Sequence, residues 1–579
     1  MAESILSNKL ILEFNRVFEE DSKELSEYLT GISKETLLKI GAHFLGLKRN
    51  NSEFQTPAKF LGMFFRKENN EFAQNVLDKI LLLEKETNRQ VAIPIAQSSL
   101  QLFEYTFDNL NDIQTQTEAE SEISIFKAYL VLNQQNTGKD DVASQSVEDL
   151  PKEEVFPNLI LAQTFPYFDL VNYSSREIFT CQLIKAIFLF EFLERNEQTQ
   201  SLLKAFLANV ECPNWRDYLR RLLPICGSII TKEKEGKLEI TLTAENFNQN
   251  EVFLDKLILG DILIEDMDFR TIRSSPLVKL SRGKYLVIYD LFMFEKVFKG
   301  LYFTLNNLNK ELNKEGRIKD FRGFYCDEFS ERTLLYNVLE RAYGTRYIQY
   351  SGTEMKQYGI EAEADYYIRN GNNVLMFESK DFLINVDVKV SADYKKIEPE
   401  LAKKLYKDSD GNKAVLQLMN NIRRLLNKEF PFDTNYKVNS LKIYPIIVVH
   451  DRQCIIPGIN HLLNTWFKAE LKVLTENGIN TKSVRPVTLM NVDSLVFHQD
   501  LIKSRKLHLN KIIDRYHKMA QLNKKVYKDQ SELERLIYSS QISFDHFLSV
   551  ELSRAKFLNT PSLLREKGFT LFEEGNSAS

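Results

Sequence analysis

The twenty residues from Glu361 to Lys380, EAEADYYIRNGNNVLMFESK, decide the fold of this chain. Two runs rich in apolar and aromatic residues flank Asn370-Gly371, a dipeptide that strongly favours a β-hairpin turn. Because side chains alternate between the two faces of a strand, Glu378 and Lys380 share one face. The sequence therefore predicts two antiparallel strands that carry Asp365, Glu378 and Lys380 at their open end.

Two registers of this hairpin are open. With a four-residue loop, Asn370 to Asn373, Asp365 would lie directly opposite Glu378. With a two-residue loop, Glu363 would lie opposite Glu378, and Asp365 would lie on the diagonal. Like charges that face each other destabilise a sheet, and a bound Mg²⁺ or Mn²⁺ ion would turn that repulsion into ligation. The alternative interpretation is an ordinary exposed hairpin with acidic and basic side chains on its solvated face.

A helix is predicted upstream, over residues 327–344, because the segment starts with polar residues and stops at a glycine. Leu335, Val338 and Ala342 follow Glu331 at i+4, i+7 and i+11, which places Glu331 on the core-facing stripe. A carboxylate in that position needs a partner. The alternative is a half-exposed acid in the first turn that the helix dipole favours.

A second helix is predicted downstream, over residues 411–426, with two distinct faces. The apolar stripe consists of Val415, Leu418, Ile422 and Leu425, and the polar stripe consists of Lys413, Gln417, Asn421 and Arg424. The polar stripe is either a solvated face or a strip that contacts phosphates and orients the site.

The order of these residues resembles the PD-(D/E)xK nuclease superfamily over roughly residues 320–500, with Ala364 in place of the proline of the family name. The apolar segment 441–449, a helix near 459–477 and a strand over 483–490 also fit. The resemblance implies an α/β fold of the restriction-endonuclease type. It would have an αβββαβ core and a central mixed sheet, preceded by a mostly helical N-terminal region.

The resemblance also implies a metal site. Asp365 and Glu378 would ligate Mg²⁺ or Mn²⁺ with help from the Ser379 carbonyl, and Glu331 would complete the ligands or hold a second ion. A divalent ion in such a site polarises a phosphoryl oxygen and lowers the pKa of a bound water.

Lys380 and Gln417 take the other roles that the resemblance implies. Lys380 would orient or activate the attacking water and stabilise the developing charge, and Gln417 would position Lys380 or the substrate phosphate. We therefore expect a metal-dependent endonuclease or exonuclease that hydrolyses phosphodiester bonds, with DNA favoured over RNA, in a bacterial defence or restriction context. The alternative is a catalytically idle module that has the nuclease-like fold and binds nucleic acid or a partner.

The composition adds local rather than global evidence for nucleic-acid binding. The net charge is -4, with 43% hydrophobic and 27% charged residues, so basic patches must supply any affinity for phosphate. Residues 389–428 contain ten Lys or Arg against five acids, and residues 503–528 contain nine against one. The candidate contacts are Lys413, Asn421, Arg424, Lys503, Arg505, Lys506, Lys511, Arg515, Lys518, Lys524 and Lys525. A solvated charged face is the alternative for both runs.

Cysteine, histidine and hydropathy patterns exclude several classes of protein. The five cysteines form no CxxC pair, so a zinc ribbon is disfavoured. His450, at the end of an apolar strand, is interpreted as structural. The most hydrophobic stretch, Ile178 to Leu193, is too short to span a bilayer, and the chain begins without a signal-peptide pattern. We expect a cytoplasmic protein with no membrane partner.

The chain is predicted to divide into consecutive regions. These are a helical region 1–132, a linker 133–154, a helical and mixed accessory domain 155–320, a nuclease domain 321–500 and a basic helical tail 501–579. Residues 1–320 would mediate homodimerisation or binding of a partner protein. The predicted N-terminal helices are Ser4–Glu20, Lys34–Leu47, Ala58–Phe65, Glu71–Thr87 and Ser121–Leu132.

Overall fold

The structure is a computed structural model, and it describes residues 9–46, 56–108, 113–171, 173–231, 238–260, 267–361, 363–409, 411–521, 536–557 and 560–572. The chain forms two compact units. The first unit takes residues 1–142, 170–182 and 204–305, and the second takes 143–169, 183–203 and 306–579. This division differs from the five consecutive regions predicted, because each unit is assembled from segments that lie apart in the sequence.

The first unit is mostly helical, as predicted for its N-terminal part. Its first helices are Phe14–Val17, Leu25–Leu29, Lys34–Gly46, Pro57–Phe64, Asn70–Thr87, Ala96–Asp108 and Glu118–Ser146. The later ones are Gln200–Val210, Trp215–Thr231, Phe247–Asp255, Arg270–Ser274, Asp290–Val297 and Lys299–Glu311, and the helix Ser175–Arg195 has only its first eight residues in this unit. Strand Leu10–Ile11 pairs in parallel with Val91–Ala92, and Lys284–Val287 lies between the antiparallel strands Glu239–Thr241 and Leu277–Ser281.

Two predictions for this region are wrong. The predicted linker over 133–154 is helical as far as Ser146, and a further helix, Lys152–Thr164, begins inside it. Tertiary contacts override the polar composition: the Asn133 amide is buried and donates to the carbonyls of Leu12 and Ile93. The predicted helix Ser4–Glu20 is also wrong within the described residues, because residues 10–11 pair as a strand and leave only Phe14–Val17 helical.

A five-stranded mixed sheet forms the centre of the second unit. Its strands are β1 Ile348–Ser351, β2 Tyr366–Asn370, β3 Asn373–Lys380, β4 Lys442–Val449 and β5 Thr488–Asn491. The spatial order is β5-β4-β3-β2-β1. Strands β1 to β3 form an antiparallel meander, and β4 lies parallel to both β3 and β5. This confirms an α/β unit with a mixed sheet.

A tight turn fixes the register of β2 and β3. Asn370 pairs with Asn373, and Gly371 between them adopts a positive φ of 58°, a conformation that glycine accepts without steric cost. Tyr366 pairs with Phe377 at the other end of the hairpin. The register therefore places the next two positions outward, Asp365 and Glu378, opposite each other, which is the first of the two predicted arrangements.

A composite helix, residues 321–343, packs against the sheet and is longer than predicted. It consists of the α-helix Phe321–Phe324, a π-helical segment Tyr325–Leu335 and the α-helix Tyr336–Tyr343. It begins at an Asp320 N-cap, whose side chain accepts a hydrogen bond from the Gly323 amide, rather than near Asp327. Such π-helical turns are rare and often lie at functional sites.

The other helices of the second unit surround an apolar core. In Ala414–Leu426, all four residues of the predicted apolar stripe are fully buried in that core. The remaining helices are Lys152–Thr164, Gly352–Gln357, Val386–Val390, Tyr394–Leu405, Ile459–Glu476, Val492–Lys503, Leu509–Ala520, Phe544–Arg554 and Ser562–Thr570. The strand predicted over 483–490 is shorter than expected: β5 begins at Thr488, two residues after Pro486, which has no amide to donate.

None of the helices in the described part of the chain combines the length and the apolar character that a membrane crossing requires.

Candidate functional site

Asp365 lies at the entrance to β2 and is held by the backbone of β3. Its Oδ2 accepts a hydrogen bond of 2.6 Å from the Ser379 amide. Ser379 follows Glu378, so this bond fixes the Asp365 carboxylate beside the end of the strand that carries the other candidate residues. The hairpin register and this single hydrogen bond together bring two distant positions of the sequence into one site.

Glu378 is the most buried acid of the candidate site. Its side chain is 1% exposed, and its Oε1 accepts a hydrogen bond of 2.7 Å from the Lys380 ammonium. Its Oε2 is buried and has no hydrogen-bond partner. Buried polar atoms are nearly always hydrogen-bonded, so this carboxylate oxygen remains available to a further partner.

The charges of the site perturb one another. Burial and the nearby Asp365 raise the pKa of Glu378 to about 8, and the same two causes raise the pKa of Glu331 to about 7. Burial also raises the pKa of Asp365. Burial alone would lower the pKa of Lys380, but the carboxylates of Glu378 and Asp365 outweigh it and raise that pKa. The three carboxyl groups and the lysine therefore form one electrostatic cluster.

Glu331 reaches this cluster from the π-helical segment of the composite helix. It is half-buried, and its Oε1 accepts a hydrogen bond of 2.5 Å from the Tyr336 hydroxyl. Tyr336 in turn packs its ring against Tyr366 of β2, with ring centroids 5.5 Å apart. The composite helix thus presents a third acid to the end of the hairpin.

The four polar-stripe residues of the Ala414–Leu426 helix, Gln417 among them, differ in how far they are buried. The Oε1 atom of Gln417 is buried and has no hydrogen-bond partner, while the Asn421 amide donates to the Gln417 carbonyl within the helix. Asn421 is fully buried, so it is not placed to touch a phosphate in solution. Lys413 and Arg424 remain half-exposed.

The donor set of this cluster fits a hard divalent cation. Carboxylate oxygens are the ligands that Mg²⁺ and Mn²⁺ prefer, and Glu378 offers a buried oxygen without a partner. Within the described residues, no three or more His, Cys, Asp or Glu side chains stand together as a complete ligand group. Mg²⁺ commonly takes one or two carboxylates from a protein and completes its shell with water and phosphate oxygens.

Two polar residues next to the site carry contacts that the sequence did not reveal. The Ser379 hydroxyl lies 2.9 Å from His450 Nε2, and burial lowers the pKa of His450 to about 4, so the ring is neutral. Asp381 binds three residues of the composite helix. The alternation of side chains along β3 could have indicated that Ser379 and Asp381 form a second polar face. Their partners lie about fifty to seventy residues away in the sequence, so no local sequence pattern identifies them.

The candidate phosphate-binding residues near the C-terminus are exposed where the structure describes them. Lys503 ends the helix Val492–Lys503, and Arg505 and Lys506 follow it. The candidates Lys511, Arg515 and Lys518 project from Leu509–Ala520, whose buried side includes Ile512 and Tyr516. Arg515 forms an ion pair of 2.6 Å with Glu551. Lys524 and Lys525 lie outside the described residues.

The other basic run is partly neutralised within the protein. Lys389 is buried against Asp169 at 3.0 Å, and Lys395 pairs with Asp149 at 2.9 Å. The run over 389–428 therefore offers fewer free cations than its composition suggests.

Comparisons with protein-family models, with curated proteins and with solved structures found no match for this chain.

Proposed function

We propose that the protein is a metal-dependent nuclease that hydrolyses phosphodiester bonds. The observation that carries this proposal is the buried Glu378, which binds Lys380 through one oxygen and leaves the other without a partner beside Asp365. A cluster of acids in a buried position is unfavourable unless a cation compensates it. The αβββα order of the elements around the site supports a core of the restriction-endonuclease type.

The cation would be Mg²⁺ or Mn²⁺, held by Asp365, Glu378, the Ser379 carbonyl and Glu331. When bound, it would supply Lewis-acid activation of the phosphate and a more acidic water. In the metal-free protein the raised pKa of Lys380 keeps its side chain charged. Lys380 would orient or activate the attacking water and stabilise negative charge on the phosphate. Gln417 positions Lys380 or a phosphate oxygen.

The partner would be a nucleic acid, with DNA favoured over RNA, in a bacterial defence or restriction context. The exposed lysines and arginines between 503 and 518 support this proposal, because they can contact the backbone phosphates without regard to sequence. Residues 1–320 would then serve dimerisation or binding of a partner protein.

A cleavage assay tests the proposed function directly. Purified protein is incubated with plasmid, linear duplex, single-stranded DNA and RNA, in Mg²⁺, in Mn²⁺ or in EDTA. We expect cutting of at least one DNA substrate that requires the metal ion and stops with EDTA. If no substrate is cut and the protein binds no Mn²⁺, the nuclease proposal fails, and the idle nucleic-acid-binding or partner-binding module becomes the better interpretation.

Charge reversal tests the phosphate-binding surface separately. A variant with glutamate at Lys503, Arg505, Lys506, Lys511 and Lys518 should bind duplex DNA more weakly than the wild-type protein. The slope of the logarithm of the binding constant against the logarithm of the salt concentration should become shallower by about 0.9 for each phosphate that the variant no longer neutralises. Both quantities can be measured by fluorescence anisotropy across a salt series.

Five exposed lysines of the first unit, Lys23, Lys59, Lys67, Lys79 and Lys85, provide the matched control. Reversing their charge changes the net charge in the same direction and should leave the salt slope close to that of the wild-type protein. An equal reduction in both variants would mean that net charge, not this surface, governs binding.

A further inference from the structure

The end of β3 uses its two faces for different purposes. Glu378 and Lys380 share one face and bind each other, as the period of two requires. Ser379 and Asp381, the residue that follows Lys380, project from the opposite face. Ser379 contacts His450, which follows β4, and Asp381 contacts the composite helix. One face therefore carries the proposed chemistry, while the other attaches the strand to its neighbours.

Asp381 makes three hydrogen bonds to the composite helix. Its Oδ1 accepts from Arg322 Nη2 at 2.7 Å, and its Oδ2 accepts from the Ser330 hydroxyl at 2.6 Å. Its backbone carbonyl accepts from the Cys326 thiol at 3.3 Å. The three partners are spaced four residues apart, so they lie along one side of the helix, and together they hold that side against the residue that follows Lys380.

The contact is stronger than an ordinary surface ion pair. The Asp381 side chain is 14% exposed and that of Arg322 is 29% exposed, so water screens the pair only in part. The Asp381 carboxylate accepts one hydrogen bond from a charged donor and one from a neutral donor. These two bonds fix both its position and its orientation. Ser330 immediately precedes Glu331, so this fixed point lies one residue from the third acid of the site.

We propose that Asp381 is a positioning residue, which sets the distance between Glu331 on the composite helix and the pair Glu378 and Lys380 on β3. This inference rests on the proposed function, since the geometry matters only if the three acids share a cation. Asp381 does not itself contact the acids. Its carboxylate fixes a helical segment with π-type hydrogen bonding, a backbone state that is uncommon and needs support from its surroundings.

The test is Mn²⁺ binding to the full-length protein, measured by electron paramagnetic resonance and by calorimetry without substrate. Asp381→Asn should weaken Mn²⁺ binding by about 10–100-fold, the usual cost of removing a residue that orients metal ligands. Amide hydrogen exchange over residues 325–335 should also become faster in this variant, a readout that needs no metal. Ser330→Ala, which removes a single bond, should show the same two changes to a smaller extent.

The matched control is Asp433→Asn. Asp433 is buried and binds Arg369 and Tyr367 of β2 at 2.5–2.8 Å, so its loss should destabilise the same unit without moving the acids. Weaker Mn²⁺ binding in Asp381→Asn alone supports the proposal. Equal weakening in both variants, or wild-type affinity in Asp381→Asn, overturns it. Absence of Mn²⁺ binding by the wild-type protein would instead overturn the proposed function.

Discussion

Glu378→Gln should abolish metal-dependent cleavage and, in the metal-free protein, raise the melting temperature. The glutamine keeps the shape of the side chain and an oxygen for Lys380, but it removes the anionic ligand. In the folded protein the Glu378 carboxyl is buried beside Asp365, which makes its charged form unfavourable. The variant removes that penalty, so we expect a rise on the order of 3–5 °C.

The effect on stability should depend on pH in a defined direction. The pKa of Glu378 is raised from its ordinary value of 4.5 to about 8 in the folded state, so the folded protein holds the proton more tightly than the unfolded chain. The stability of the wild-type protein therefore falls as the pH rises from 4.5 to 8. The gain from Glu378→Gln should be largest above pH 8 and absent below pH 4.5, as measured by calorimetry in EDTA.

Asp545→Asn is the control for this variant. Asp545 is another buried carboxyl of the second unit, and burial raises its pKa to about 7. Its neutralisation should also stabilise the protein at high pH, but cleavage should continue, because Asp545 hydrogen-bonds to Ser494 and the Asn491 amide rather than to the acid cluster. Cleavage by Glu378→Gln at the wild-type rate would remove Glu378 from the proposed site.

Lys380→Ala should lower the cleavage rate by on the order of 10²–10⁴-fold without weakening metal binding. The ammonium contributes positive charge and orientation at the phosphate, and alanine supplies neither. In the metal-free protein Lys380 occupies Oε1 of Glu378 at 2.7 Å, so its removal frees that oxygen for a cation. The cleavage rate is measured under single-turnover conditions, and the Mn²⁺ affinity is measured on the same preparation.

Lys356→Ala gives the comparison for Lys380→Ala. Lys356 forms an ion pair of 2.9 Å with Glu363, close to Asp365 in the sequence, but its side chain is 60% exposed. An exposed pair of this kind contributes little, so the variant should cleave at nearly the wild-type rate. If both lysine variants lost activity to the same degree, a general loss of positive charge would explain the result, and the specific role of Lys380 would be contradicted.

The local patterns of the sequence predicted much of the second unit. Alternation of side chains and the Asn-Gly turn indicated the hairpin, and the apolar spacing of Val415, Leu418 and Ile422 indicated the helix that covers it. These features can be predicted from the sequence because they depend on residues only a few positions apart. The proximity of Asp365 to Glu378 followed from the register, which the turn determines.

Features that depend on distant residues were not predictable. The composite helix begins at Phe321 and contains a π-helical segment, and its residues Arg322, Cys326 and Ser330 bind Asp381, more than fifty residues later in the sequence. The pairing of Ser379 with His450 has the same origin. Polar residues such as Asn133 suggested a linker, whereas Asn133 is buried and hydrogen-bonded in the first unit, and the start of that segment is helical.

The turn at Gly371 has a consequence for how the chain tolerates changes in length. Surface turns usually accept inserted or deleted residues because no function depends on their size. Here the turn has no chemical role, and Gly371 lies seven residues from Glu378, about 24 Å along an extended strand. Yet one added residue would shift the pairing of β2 against β3 and turn Asp365 away from Glu378. The number of residues in this turn is therefore as much a requirement of the site as the identity of its acids.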